Sequence, residues 1–338
     1  MISRRRFLAG CAAAVCGAGT THPSLRCRPV ISGPLWWYDP LESKAWGESG
    51  WRDELDQHRK IGFNLLWLCN CPAGLASPED ATNLHSLMDL CARRKVRVIL
   101  DTGCSPGWYG KLDLQEEIEL CSANIRRIGQ EFAEHPAFFA WYVPHEIYVW
   151  HGEGAAYIDK LYPALVERCK NAAAKPVTVS PFFILDRDKV FGDFRYAEPG
   201  EYERYWARLI RLSGFDIVML QDSGEHFSYV TNKMRRPFFE AMSAACRTAG
   251  ARFWGNVETA EYDCPSKEEF VRRYGRIHHA QAKGLRWRPV PIERLKEKLD
   301  LASEYSEEIV TWGYREFCRP ALGDDARKWY EEYRRLLR

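Results

Sequence analysis

Eight short, almost continuously apolar runs, separated by longer amphipathic stretches, limit what this chain can fold into more than any other feature. The runs are "VISGPLWWY" (30–38), "FNLLWLC" (63–69), "VRVILDTG" (96–103), "FFAWYVP" (138–144), "PVTVSPFF" (176–183), "DIVMLQD" (216–222), "RFWGNVE" (252–258) and "EIVTWGY" (308–314). Helical patterns fill the intervals near 49–61, 79–94, 115–134, 157–173, 200–212, 232–249 and 291–305, and a last one lies near 324–337. Ser77-Pro78-Glu79-Asp80 and Asp113 supply helix start signals. Strands that are apolar on both faces belong in a parallel sheet covered by helices on both sides. Eight βα units predict a (β/α)8 TIM barrel. The competing doubly wound open sheet is expected to carry a Gly-rich phosphate fingerprint after its first strand, and none is present.

The first 22 residues are set apart from that pattern. Arg4-Arg5-Arg6-Phe7-Leu8 precedes the small apolar run "AGCAAAVCGAG", and no acidic residue occurs before Asp39. This reads as a twin-arginine signal segment, which predicts the twin-arginine export machinery as a partner and a periplasmic or extracellular location. The apolar run is too short for a stable membrane span, which takes about 20 residues. "LAGC" at Leu8 to Cys11 mimics a lipoprotein cleavage site but sits close to the arginines, so lipid anchoring is the lesser expectation. Residues 23–338 are expected to form one barrel domain, with an insertion at about 259–289 that holds the additional helix candidate "SKEEFVRRYGRIHHAQAKG". The formal charge of +2 falls to −1 without the three leader arginines, so no basic surface for nucleic acid is expected. Ten cysteines lie beyond the leader without a repeated CxxC spacing. Cys91, Cys121, Cys169 and Cys246 fall in helical patterns as buried free thiols, and a disulfide from Cys104 to Cys69 or Cys71 is an open alternative.

Strand ends hold the candidate chemistry, because loops at the C-terminal ends of barrel strands build active sites. In "WYVPHEIYVW" (141–150), alternation puts Tyr142 and Glu146 on one face, at the mouth past the fourth strand. In the seventh run Trp254, Asn256 and Glu258 share a face, and Glu258 is the last of them. The sixth run adds Gln221 and Asp222, the third Asp101 and the first Asp39. Trp36, Trp37, Tyr38, Trp108, Tyr109, Tyr148, Trp150 and Trp312 supply aromatic surface near the same rim. Aromatic rings stack on sugar C–H faces, amides and carboxylates read hydroxyls, and a pair of carboxylates can cleave a glycosidic bond. Glu146 and Glu258 are therefore the catalytic candidates. Trp36, Asp39, Trp108, Tyr142, His145, Gln221, Asp222, Asn256 and Trp312 are the substrate-binding candidates. Against this, a carboxylate at a strand end can merely cap a helix or pair with an arginine, and strand-end tryptophans such as Trp67, Trp141 and Trp254 are often core. His278-His279 reads as a solvated helix face.

"GPLWWYDPLESKAWGESGWRDELDQHRKIGFNLLWL", "FFAWYVPHEIY", "VTVSPFF", "FDIVMLQDSG", "RFWGNVET" and "RWRPVPIERLKEKLDLASEYSEEIVTWGYREFCRP" together resemble an uncharacterised family of bacterial exported TIM-barrel proteins. Its members are described as candidate glycoside hydrolases of unknown substrate, and the likeness covers nearly the whole chain after the leader. More distantly, the arrangement is similar to glycoside hydrolase clan A, whose retaining enzymes carry the acid/base after strand four and the nucleophile after strand seven. That resemblance implies Glu146 as acid/base, Glu258 as nucleophile, a carbohydrate substrate and no metal or organic cofactor. The clan usually has Asn before the strand-four Glu, whereas this chain has His145. Two alternatives remain: a noncatalytic carbohydrate-binding barrel, and a metal-assisted hydrolase with Asp101, His145, Glu146 and Asp222 as ligands, for which no HxH or HExxH spacing is present.

Overall fold

The computed structural model describes residues 27–222 and 226–338; the leader, including Arg4, Arg5, Arg6 and the apolar run to residue 22, lies outside the described residues. All eight apolar runs form strands. They are β1 (Gly33–Trp37), β2 (Leu65–Cys69), β3 (Arg97–Asp101), β4 (Phe138–Val143), β5 (Val177–Val179), β6 (Ile217–Gln221), β7 (Arg252–Asn256) and, after a two-stranded excursion, β10 (Glu308–Thr311). Every neighbouring pair is parallel, and Gly33 opposite Val310 and Pro34 opposite Thr311 close the ring between β1 and β10. The fold is a (β/α)8 barrel.

Alternation along the strands divides the core into two layers. Leu65, Trp67, Ile99, Ala140, Tyr142, Met219, Trp254 and Val310 pack together as one buried cluster inside the ring. Leu66, Leu68, Val98, Leu100, Trp141 and Val143 belong to the larger cluster between strands and helices. Trp67, Trp141 and Trp254 are thus core, fully buried.

The helices follow the expected intervals. Ser77 accepts the Asp80 backbone N–H at 3.2 Å at the start of α2 (Pro78–Arg93), and Asp113 accepts that of Glu116 at 3.0 Å at the start of α4 (Leu114–Phe132). Between α2 and α4 lies the single turn α3 (Trp108–Lys111). One boundary departs from expectation. α1 (Pro40–Lys60) begins nine residues before the pattern suggests, because Asp39 caps it and a kink at Gly47 (φ 55, ψ −164) breaks its apolar periodicity. The remaining outer helices are α5 (Gly152–Ala172), α6 (Pro199–Ser213), α7 (Asn232–Ala249), α9 (Ile292–Tyr305) and α10 (Asp324–Leu336).

Between β7 and α9 the chain forms an antiparallel pair, β8 (Ala260–Tyr262) with β9 (Trp287–Pro289), and a short helix α8 (Lys267–Tyr274). The long helix expected there stops at Gly275, whose φ of 78 is a left-handed exit from the helix. Phe191, Phe227, Val230, Tyr262, Cys264 and Phe270 bury one another into a small separate core. It joins this excursion to the loops after β5 and β6 and builds a wall beside the barrel mouth. The ten cysteines of the described residues are free thiols, so the alternative disulfide from Cys104 is not formed.

Candidate active site at the barrel mouth

β4 ends where Pro144 withholds an N–H from the ladder. The chain then turns, with the Glu146 N–H on the Pro144 carbonyl at 3.0 Å, and Ile147 and Val149 are buried as anchors. Glu146 is thereby hung over the barrel interior. The Tyr142 hydroxyl donates to Glu146 Oε1, and Gln221 Nε2 donates to Oε2 at 2.8 Å while also reaching the Ser180 carbonyl at 3.0 Å. Burial raises the Glu146 pKa to about 7, and nearby Glu258 adds to the rise, against the pull of the two neutral donors.

Glu258 is held on a continuation of the β7–β10 ladder. Val257 donates to the Val310 carbonyl and Thr259 to that of Trp312, each at 2.9 Å, so Glu258 between them points inward. It is 2% exposed. His226 Nδ1 donates to its Oε2, and Lys298 Nζ, on α9, donates to its backbone carbonyl at 2.6 Å. Lys298 also pairs with Asp222 Oδ2 at 3.0 Å. Burial pushes the Glu258 carboxyl upward, His226 pulls it down, Asp222 raises it again and Lys298 opposes. Both glutamates line one cavity of about 220 Å3, together with Gln221, His226, Asn256 and Trp312. Asn256 donates through Nδ2 to Ser180 Oγ at 3.2 Å, whereas its buried Oδ1 has no protein partner.

Six of the residues expected at the site are therefore together: Glu146, Glu258, Tyr142, Gln221, Asn256 and Trp312. The other five are not. Trp36 faces outward from β1 and is fully buried against Trp46, Trp51 and His58. Asp39 is the N-cap of α1, accepting from the Leu41 N–H at 2.8 Å. Trp108 is buried under the loops, edge-on to His145 and stacked on Trp150. His145 is turned away from the mouth and is fully buried, with Nε2 2.7 Å from Glu117 Oε1. Burial pushes Glu117 up, but hydrogen bonds from His145 and Ser105 outweigh it and hold its pKa at about 2. Asp222 lies behind Glu258, where it accepts the Glu258 N–H at 3.4 Å and pairs with Lys298 and Arg235.

The ligand set of the metal alternative is also dispersed. Asp101 clips a loop by accepting the Cys71 N–H at 2.7 Å and that of Gly103 at 3.3 Å. His145 and Asp222 are engaged as described. Among the described residues, the one trio with metal-ligating spacing is Glu117, Cys121 and His145, and it is buried in mutual hydrogen bonding.

Three residues at the site escape a sequence reading. His226 lies in a loop with no regular pattern, and Lys298 sits on a helix like any other lysine. His279, with His278, is not on a solvated face: it packs beside Phe191, Phe227 and Tyr262, and its Nδ1 lies 3.0 Å from the Tyr262 hydroxyl. Burial, with help from His278 and His226, drives its pKa down to about 3, so it is neutral. Gly275 two residues before Ile277 was the available signal that the helix had ended.

Glycoside hydrolases are among the solved structures that share this architecture. A protein from Bacteroides thetaiotaomicron, provisionally named an alpha-L-fucosidase, superposes with a TM-score of 0.67 at 18% identity, over 98% of each chain. An endo-beta-1,4-mannanase from Thermotoga petrophila gives 0.55 at 11% identity, over 93% of this chain and 78% of the other. The GH99 endo-alpha-mannosidase of Bacteroides thetaiotaomicron gives 0.51 at 12% identity, over 90% and 97%. At such identities the likeness speaks for the fold. No curated protein matches the sequence. The profile of one family, the Domain of unknown function DUF4434, matches residues 31–322, and this chain belongs to that family.

Proposed function

We propose that the protein is an exported glycoside hydrolase that cleaves a polysaccharide or oligosaccharide with retention of anomeric configuration. The observation that carries this reading is the shared cavity at the ends of β4 and β7, which holds two glutamates in unlike surroundings. Glu146, with a pKa near 7 and only neutral donors, is suited to give a proton to the leaving oxygen and then take one from water. Glu258, hydrogen-bonded by His226, is suited to attack the anomeric carbon and form a glycosyl ester. Asn256 Oδ1, buried and without a protein partner, is an acceptor ready for a sugar hydroxyl, and Trp312 offers a ring to a sugar face. The glycoside hydrolases that share the fold support the same reaction class. The direct test is incubation of the purified protein with a glycan panel, measuring released reducing ends for wild type and Glu146→Gln. Equal release from the two proteins would remove Glu146 from the chemistry.

Export belongs to the same proposal. Arg4, Arg5 and Arg6 ahead of an acid-free apolar run support twin-arginine transport, which reads guanidinium groups. Lysine at all three positions is expected to keep the precursor in the cytoplasm. Cell fractionation showing the triple variant in the periplasm at the wild-type rate would exclude this route. Among the described residues no helix is long and apolar enough to cross a membrane.

A further inference from the structure

A second cavity, of about 300 Å3, adjoins the first and has a different character. The two share Glu146 and His279, and the second does not reach Glu258. Its walls are Tyr148, Trp150, Phe182, Ile184, Phe191 and Phe194, with Tyr109, 67% exposed, at the rim. Several of the polar groups on it are already engaged. Asp186 is fully buried and spends Oδ2 on the Phe191 N–H at 2.7 Å and Oδ1 on Lys267 at 3.0 Å. His278 Nδ1 accepts the Ala280 N–H at 3.1 Å, and His279 Nδ1 lies against the Tyr262 hydroxyl.

Position assigns the cavity's side of the reaction. A general acid stands between the sugar that is attacked and the group that departs, because it protonates the oxygen joining them. A site that touches the acid but not the nucleophile therefore lies on the departing side. Composition assigns the ligand. A hexose placed there would lose hydration at several hydroxyls against a wall that is mostly aromatic and aliphatic carbon, whereas an apolar ring loses nothing of that kind. We infer that this cavity takes an apolar, ring-bearing aglycone, so that the substrate is an aryl or arylalkyl glycoside. The inference rests on the hydrolase reading for the word aglycone, and on the cavity alone for the bound ring.

Benzyl and methyl glycosides of glucose, galactose, mannose and fucose separate ring recognition from leaving-group acidity, since both alcohols are poor leaving groups. Saturation-transfer NMR on the purified protein is expected to show the strongest transfer at the phenyl protons, lost in Trp150→Ala and in Phe194→Ala and kept in Glu258→Gln. Phe194 lies in a loop, edge-on to Tyr148, so Phe194→Ala carries the test should Trp150→Ala fail to fold. Phenyl transfer that is absent, weaker than transfer at the sugar protons, or unchanged in a folded cavity variant overturns the inference, whether or not any glycoside is cleaved. For whichever sugar is hydrolysed, kcat/KM for the benzyl glycoside is expected to exceed that for the methyl glycoside about tenfold or more, and the ratio is expected to fall below about threefold in Phe194→Ala. A wild-type ratio near one also overturns it. Intact phenyl transfer with no hydrolysis of any glycoside would instead sink the hydrolase reading and leave the cavity's ligand standing.

Discussion

The two glutamates at the mouth are the same residue type at equivalent strand ends, yet the chain surrounds them differently. Glu146 meets a phenol and a carboxamide, both neutral. Glu258 meets an imidazole and sits on a buried framework of Lys298, Asp222 and Arg235. Burial pushes both carboxyls upward. What differs is whether ionisable partners stand ready to hold the negative charge. The lesson is that a role in a carboxylate pair is set by the neighbours that oppose desolvation, and apart from Tyr142 on β4 those neighbours come from other elements: β6, the loop after it, α7 and α9.

The strongest way to break that contrast is to remove Glu258, the proposed nucleophile. Glu258→Gly should lower kcat/KM on the order of 10⁴-fold or more. Added azide should then yield a glycosyl azide of configuration opposite to the substrate. NMR of the wild-type reaction before mutarotation should show a retained product, and an inverted first product would end the assignment of Glu258 as nucleophile. Next in size is Glu146, the proposed acid. Glu146→Gln should cost about 10²- to 10⁴-fold on a methyl glycoside and far less on a 2,4-dinitrophenyl glycoside, whose departure needs no proton. Wild-type activity should fall as pH rises through about 7, the Glu146 pKa, and this limb should vanish from the profile of the variant. Persistence of the limb would point to another acid.

How much of this was legible in the sequence follows from the same physics. Runs buried on both faces announce themselves by composition, so all eight strands and the ring they form were readable. The placing of Glu258 at the mouth was readable because it ends a run whose alternation is clear, and that of Glu146 because it follows such a run by two residues. The facing of Trp36 was also present in the letters: it alternates with Leu35, which lines the cavity, so Trp36 must face out. Asp39 before Pro40 likewise carried the signature of a helix cap, and the cap was missed because Gly47 hid the first turns of α1. His226 and Lys298 had no such signal. Their place depends on how a loop and a helix some 70 residues apart meet, which local periodicity does not encode.

The framework under Glu258 gives a test of intermediate size. Lys298→Met leaves Asp222 buried with a weaker set of partners and should lower stability by about 3 kcal/mol, read by denaturant unfolding. Adding Asp222→Asn should recover part of the loss, and a fully additive double variant would show that the pair is not coupled. The smallest effect has the opposite sign. Glu146 titrates higher folded than unfolded, so the protein binds its proton more tightly than the open chain does, and stability is lost as pH rises from about 4.5 to about 7. Glu146→Gln should therefore be more stable than wild type at pH 8 by about 1 to 2 kcal/mol, with the gap narrowing toward pH 4. A gap that does not change with pH would mean that Glu146 is not desolvated as the structure has it.

The closure of the ring between β1 and β10 also orders events in time. β1 finds one neighbour, β2, about thirty residues along, but its other neighbour is Glu308–Thr311, near the far end of the chain. The same seam is fastened by the Ile31 N–H on the Tyr333 hydroxyl at 3.0 Å, from α10. A ribosome delivers that partner last. Until then β1 has an open edge, and the polar mouth, which needs β4, β6, β7 and α9 in register, has no floor to stand on. Bringing contacts so distant in sequence together carries a loop-closure penalty that local βα units escape, so ring closure is the slow, late step. The mouth is therefore completed only when β10 and α10 reach β1, and until then the two glutamates stand on the ends of an open sheet.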